Sequence, residues 1–256
     1  MKILLKIVLA SVLSLALFSC AAKPAVVKPA EEFDAERSFT AANKLIDEKE
    51  YNQARALLLE IKNRDLTKKI APLAQLRVAD SYVREEEPEL AVAEYRKFIE
   101  MYPDHRNASY AQYQIAMVYF NQIESPERGY GGAAKALTEF EKLKKDFPRN
   151  PYKDLVELRI EKCRNTIADY EYMVGEFYMK RGTFAAAIER FEGLLANYPD
   201  YKKYERVMLS LGIAHKKAGQ KEKSEEVLKR LLEKYPNSPA AVEARKELVP
   251  AKSDKK

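Results

Sequence analysis

The sequence predicts an all-α protein: a superhelix of about five helix pairs closed by a C-terminal capping helix. Three observations carry that prediction. Ala, Glu, Lys, Leu and Arg dominate a chain of 256 residues that has only 8 Gly and no Trp, a composition that favours helix over Gly-rich β architecture. An aromatic-Pro dipeptide recurs four times, as Tyr102-Pro103, Phe147-Pro148, Tyr198-Pro199 and Tyr235-Pro236. Fixed steps back from each proline then meet the same residue types: twelve back lies Ala91, Ala136, Ala187 or Ser224, and eight back lies Tyr95, Phe140, Phe191 or Leu228.

A second small residue lies a further twelve back in three of these units, at Ala79, Gly175 and Gly212. The unit ending at Pro148 carries eight extra residues, and there Ala116 takes the place. A weaker first unit fits with Ala42 and Ala54, and with Leu66 where the proline should stand. Small residues at these points let two helices cross closely, where a large side chain would wedge them apart. Proline closes each unit because it cannot continue a helix. The pattern resembles the tetratricopeptide (TPR) repeat.

Taken in order, the chain opens with Lys2, Lys6 and an apolar run to Phe18, which reads as a secretory signal over 1–19. Leu17-Phe18-Ser19-Cys20 resembles the lipobox of bacterial lipoproteins, departing from it at Phe18. That resemblance implies a Cys20 carrying a diacylglycerol and an N-acyl chain such as palmitate. Ala21 in the next position implies the outer membrane, with the folded part facing the periplasm. Two or more acyl chains hold a protein stably on a bilayer, where one does not. Residues 20–32, with Pro24 and Pro29, read as an extended linker.

The repeats follow at about 33–66, 69–103, 106–148, 151–199 and 201–236, with a capping helix at about 238–248 and a disordered tail over 249–256. The third is interrupted near 122–132 by a loop holding Pro126 and Gly129-Tyr130-Gly131-Gly132. The fourth has about 17 extra residues before its first helix, helical in pattern, so that helix is expected to run unbroken to Met179.

Tyr170-Glu171-Tyr172, followed by Glu176, Tyr178, Arg181-Gly182, Arg190, Glu192-Gly193 and Tyr198-Pro199-Asp200, resembles the fourth repeat of the BamD family, the TPR lipoproteins of the β-barrel assembly (Bam) machinery. The resemblance covers essentially the whole mature chain, and is strongest over 151–200 and weakest in the first repeat. It implies a periplasmic scaffold that helps fold and insert outer-membrane β-barrel proteins. Its implied partners are the last POTRA domain of BamA, other Bam lipoproteins and unfolded β-barrel substrates. Repeats 1–3 (33–148) would face substrate and repeats 4–5 with the cap (149–248) would face BamA. Arg190, with Tyr170, Glu171 and Tyr172, would form the BamA contact. A TPR lipoprotein serving peptidoglycan enzymes or pilus assembly would share the lipobox and the repeats but would not need the 170–182 run.

Read without the family, the first helices of the early repeats should line a concave groove with Phe39, Leu73, Leu76, Val83, Tyr110, Tyr113, Met117 and Phe120, together with Ile46, Asn43 and Asp80. In the last two repeats the same places hold Tyr172, Glu176, Met179, Lys180, Arg206, Leu209, Ile213, Lys216 and Lys217. The early groove is apolar and aromatic and suits an extended peptide; the late one is mixed and basic.

The chemistry-bearing patterns are missing. The net charge is +6, falling to +4 (43 basic against 39 acidic residues) if the leader is removed, and it is spread out, which does not suit nucleic acid. His105, His215 and Cys163 have no metal-ligand spacing. No phosphate loop or nucleophile elbow is present. Neither catalysis nor a cofactor is expected. Cys163 reads as a small buried residue and His215 as a core side chain.

Overall fold

The computed structural model describes residues 33–125 and 128–249. The signal, Cys20, the linker and all but the first residue of the tail lie outside the described residues. Eleven α-helices account for the regular structure of the described chain. They are α1 (Ala35–Asp47), α2 (Tyr51–Arg64), α3 (Ala71–Arg84), α4 (Pro88–Met101), α5 (Ala108–Asn121), α6 (Gly131–Asp146), α7 (Lys153–Lys180), α8 (Phe184–Asn197), α9 (Tyr204–Lys217), α10 (Lys221–Lys234) and α11 (Pro239–Leu248). Each helix packs on the next one in sequence. α1 to α10 are five hairpins, and the fold is the predicted TPR superhelix. α11 lies against both α9 and α10, and its Ala240 and Ala244 join their core.

The spacing that predicts the repeats has a direct physical counterpart. Ala42, Ala54, Ala79, Ala91, Ala116, Ala136 and Ala187 have no exposed surface at all. A methyl group added at Gly175 would lie 2.3 Å from the ring of Phe191, and one at Gly212 would lie 2.5 Å from Leu228. In both cases the residue that would be struck sits sixteen positions later, at the aromatic or leucine site of the second helix. The small residue and the large one are therefore a matched pair across each hairpin. Ser224 fills its small site and also donates to the Gly212 carbonyl at 2.7 Å, tying α10 to α9.

The turn inside a pair needs one left-handed residue. Gly182 (φ 74°) and Gly219 (φ 78°) supply it in repeats 4 and 5, while Lys49 (φ 64°) and Glu86 (φ 63°) occupy it in repeats 1 and 2. A non-glycine residue there costs about 1–2 kcal/mol, and the two early turns carry that strain.

α7 runs for 28 residues, unbroken as expected and one residue past Met179. Val156, Ile160 and Cys163 on its first half, and Ile167 just past its middle, belong to the core of repeats 3 and 4, with Phe140 and Leu143. Ala168, Tyr172, Tyr178 and Met179 on its second half belong to the core of repeats 4 and 5. Cys163 is completely buried, and burial pushes its thiol up to about 12, so it is an inert packing residue. His215 is also buried, as expected, and its Nδ1 lies 2.8 Å from the Gln220 side-chain oxygen.

Candidate docking surfaces

Three of the four expected partner-binding residues, Arg190, Tyr170 and Glu171, sit at the junction of repeats 3 and 4. Arg190, on α8, donates from Nη1 to Glu171 Oε2 on α7 at 3.1 Å. The pair forms one wall of an open cleft of about 390 Å³ whose other walls include Tyr130, Ile167 and Tyr198. Arg190 is half exposed while Glu171 is mostly covered, so the carboxylate fixes the arginine and leaves part of the guanidinium for a partner. The hydrogen bond to Glu171 also raises the pKa of Arg190. Gly193 lines the same cleft, and a methyl group there would meet nothing within 4 Å. Its missing side chain leaves the cleft open rather than permitting a helix crossing.

Tyr170 reaches this site through another residue. Its ring lies 4.8 Å from that of Tyr130, centroid to centroid, in a tilted pair. Tyr130 comes from the insertion in repeat 3 and precedes α6 directly. The sequence marks that segment only as a loop. Its signal was an aromatic residue inside a run of three glycines, which serves no purpose in a plain linker.

Tyr172 does not join them. Its hydroxyl lies 3.3 Å from Ser210 Oγ on α9, and its ring packs 5.9 Å from Phe191. Successive residues on a helix are turned by about 100°, so Tyr170 and Tyr172 point to opposite sides of α7. Tyr172 belongs to the contact between repeats 4 and 5, not to the cleft.

The predicted substrate groove divides in the same way. Phe39, Leu73, Tyr110, Met117 and Phe120 are partly exposed, and Val83 is open to solvent. Leu76 and Tyr113 are buried instead. Leu76 packs into the core of repeats 2 and 3, and Tyr113 stacks on Tyr152 at 4.1 Å. Both lie where one repeat seats on the next, which removes them from any binding surface. Ile46 and Leu209 are buried too. Arg159, which the sequence does not single out, lies with its guanidinium 5.6 Å from the rings of both Tyr113 and Phe120.

A polar chain crosses this face. Asp80 accepts from the hydroxyls of Tyr95 and Tyr110, at 2.5 and 3.0 Å, and from Arg77 Nη1 at 3.1 Å. Arg77 Nε also donates to Asn43 at 2.6 Å. Four first-to-third-repeat residues thus fix each other around one carboxylate. Burial first, and then Asp80, push the Tyr110 phenol up to about 12 and the Tyr95 phenol higher still, so both stay neutral donors. In the late groove two of the four cations, Arg206 and Lys216, are already used. Arg206 Nη1 donates to Glu243 at 2.9 Å and Lys216 Nζ to Glu247 at 3.0 Å, both acceptors on α11.

Among the described residues there is no group of three or more metal-ligating side chains, and no helix long and apolar enough to cross a membrane.

The family description "Outer membrane lipoprotein" (YfiO) matches residues 31–231. The chain belongs to the YfiO family. Its relatives include the outer membrane protein assembly factor BamD of Neisseria meningitidis serogroup A, strain Z2491, 27% identical across 91% of this chain and 92% of the relative. BamD of Caulobacter vibrioides is 30% identical across 42% of this chain and 35% of the relative. Among solved structures the chain is similar to the TPR2AB domain of yeast Sti1 in complex with pHSP90, with a TM-score of 0.46, 14% identity, and 82% of this chain and 81% of that one covered. It is also similar to the TPR domain of P58(IPK), with a TM-score of 0.42, 15% identity, and coverage of 83% and 54%. The family match agrees with the resemblance seen in the 170–200 stretch. A lipoprotein family on a TPR fold is of the non-catalytic scaffold type, and its association is with the outer membrane.

Proposed function

We propose that this protein is the BamD of its organism: an outer-membrane-anchored, periplasm-facing TPR scaffold of the Bam complex, lipidated at Cys20. It binds a POTRA domain of BamA and receives unfolded outer-membrane β-barrel proteins for folding and insertion. The observation that carries the BamA reading is the cleft around Arg190. A half-exposed guanidinium, held by Glu171 and flanked by the rings of Tyr130 and Tyr198, offers a fixed cation beside apolar surface. Arginine and tyrosine anchors of this kind dominate protein interfaces. Tyr170 supports Tyr130 from behind, and Tyr172 acts only through the packing of repeat 4 on repeat 5.

The substrate reading rests on the early groove, now narrowed to Phe39, Leu73, Val83, Tyr110, Met117 and Phe120. Its partly exposed rings and aliphatic side chains fit an extended peptide with aromatic side chains.

Reversing Arg190 to Glu tests the cleft. The variant places two carboxylates together and removes the cation, and truncating one member of a buried interfacial charge pair costs about 2–5 kcal/mol. BamA is expected to be lost from a pull-down of the lipidated protein while the helical content stays unchanged. Undiminished BamA recovery would refute the assignment. A photocrosslinking probe in place of Phe120 tests the groove, with capture of unfolded β-barrel protein expected and an empty probe refuting it.

A further inference from the structure

The loop from α2 to α3 carries the most exposed large apolar side chain of the described residues. Leu66 is 91% exposed. The loop is nonetheless tightly held. The Asp65 carboxylate accepts from the Thr67 amide and hydroxyl at 3.1 and 2.6 Å, and from the amides of Ile70 and Ala71 at 2.6 and 2.8 Å. Lys68 sits in the left-handed region at φ 53°. A segment fixed by four hydrogen bonds presents a leucine to water with Arg64, Lys68 and Lys69 beside it.

Two further observations say what the leucine meets. The first is where the tether arrives. Lys69 Nζ donates to Glu36 Oε1 at 2.7 Å, and Glu36 is the second residue of α1. The folded array therefore begins at the same edge as the loop. Cys20 lies 15 residues upstream of Ala35, a reach of at most roughly 50 Å at 3.3 Å per residue. The second is the charge of the opposite edge. The turns at the other ends of these helices hold Asp47, Glu48 and Glu50, and then Glu85, Glu86 and Glu87. α2 has 14 residues, so the two edges are separated by about 21 Å at 1.5 Å rise per residue. At the edge where the tether arrives, Arg64, Lys68 and Lys69 slightly outweigh Asp65 and Glu36 around an apolar tip, while at the far edge six acidic residues outweigh Lys49 and Arg84.

We propose that the Leu66 tip is a membrane-contact point: Leu66 enters the interfacial layer of the leaflet that holds the lipid anchor, and Lys68, with Lys69 held beside it by Glu36, meets the headgroup phosphates of its anionic lipids. This rests on the reading of Cys20 as lipidated. The anchor supplies the membrane affinity, so the tip need only be a weak second contact, raised by the high local concentration that the tether imposes. Its effect is orientation. The acidic turns are turned away from the anionic surface, and repeats 1 and 2 stand with their helix axes steep to the bilayer.

The test uses the full mature protein purified from membranes and reconstituted in vesicles of phosphatidylethanolamine and phosphatidylglycerol. Mass spectrometry of the Cys20 peptide comes first. Single-cysteine labels then replace Leu66 or, on the acidic edge, Glu86; Cys163 is buried and does not label. With brominated lipids, quenching at position 66 is expected to exceed that at 86 several-fold, and to weaken when Lys68 and Lys69 are changed to Glu. Equal quenching at the two positions, with the acyl mass present, overturns the tip and leaves the anchor standing. A Cys20 peptide without acyl mass overturns both. Leu66→Glu, which alters an exposed residue, is expected to keep the thermal midpoint and to lose the preferred orientation; retained orientation counts against the leucine.

Discussion

The early and late grooves are built from the same helix-pair unit, yet they present opposite surfaces. In repeats 1–3 the first helices leave Phe39, Val83, Met117 and Phe120 wholly or partly open, with Arg159 of α7 beside Phe120. In repeats 4–5 the equivalent face is partly occupied. Glu243 and Glu247 of α11 take up Arg206 and Lys216, and Ser210 sits between Tyr172 and Glu176. The fold sets where side chains stand, and the position in the array sets whether they are free. The last repeat must be covered, and the cap that covers it takes up Arg206 and Lys216, two of the four cations that the sequence places in the late groove.

If that division is real, the two halves should respond separately to mutation. The largest effect is expected from Phe191→Ala. Phe191 is completely buried against Gly175, and emptying such a site costs about 3–5 kcal/mol. Hydrogen exchange should show α8–α10 opening while α1–α4 keep their protection. Uniform loss of protection would show that the halves are one cooperative unit.

An intermediate effect is expected at the seam between repeats 4 and 5. Asp169 accepts from Tyr201 at 2.6 Å, Lys203 at 2.7 Å and Lys202 at 3.2 Å. Burial raises its pKa, but the hydrogen bonds from Lys203, Tyr201 and Lys202 outweigh it, so the carboxyl stays below its usual value. A depressed folded pKa gives stability that is fully present above the unfolded value, about 3.9, and lost as the pH falls through the folded one. Asp169→Asn should cost roughly 1–2 kcal/mol at neutral pH, and the gap in thermal midpoint from the unmutated protein should close below about pH 4. A gap that does not change with pH would mean that the seam is held by packing alone.

The smallest effect is expected from Glu243→Lys with Glu247→Lys. Both pairs with α9 are about half exposed, and exposed pairs contribute about 0–1 kcal/mol each. The global midpoint should barely move, while α11 exchanges faster and the late groove opens. If that variant captured peptide as the early groove is expected to, the contrast between the halves would reduce to the presence of the cap.

The repeats were legible because a helix crossing demands one kind of residue at one spacing. Gly175 and Gly212 are recoverable from counting alone, and the structure shows the rings and methyl groups that exclude anything larger. The unbroken α7 was legible from its helical pattern. What could not be read was direction. A run such as Tyr170-Glu171-Tyr172 reads as one motif, but a helix sends its members to three different sides, and only the neighbouring helices decide which side is a surface. Leu76 and Tyr113 failed as groove residues for that reason: the position was right and the next repeat covers it. The early turns gave no signal either, because Lys49 and Glu86 occupy a backbone conformation that sequence reasoning assigns to glycine. Tyr130 was visible as a residue, but its partner Tyr170 stands forty positions away, beyond any local pattern.

α7 has a consequence for how the molecule deforms. In a solenoid each unit normally answers only to its neighbours, so a bend at one joint can be absorbed at the next. A single rod of 28 residues, about 42 Å long at 1.5 Å rise per residue, is rooted in two successive cores and removes that freedom at the middle of the array. Peptide pressing on Phe120 and a protein seated beside Arg190 would load the same lever, and a displacement of a few ångströms at one end would be delivered to the other instead of being dissipated.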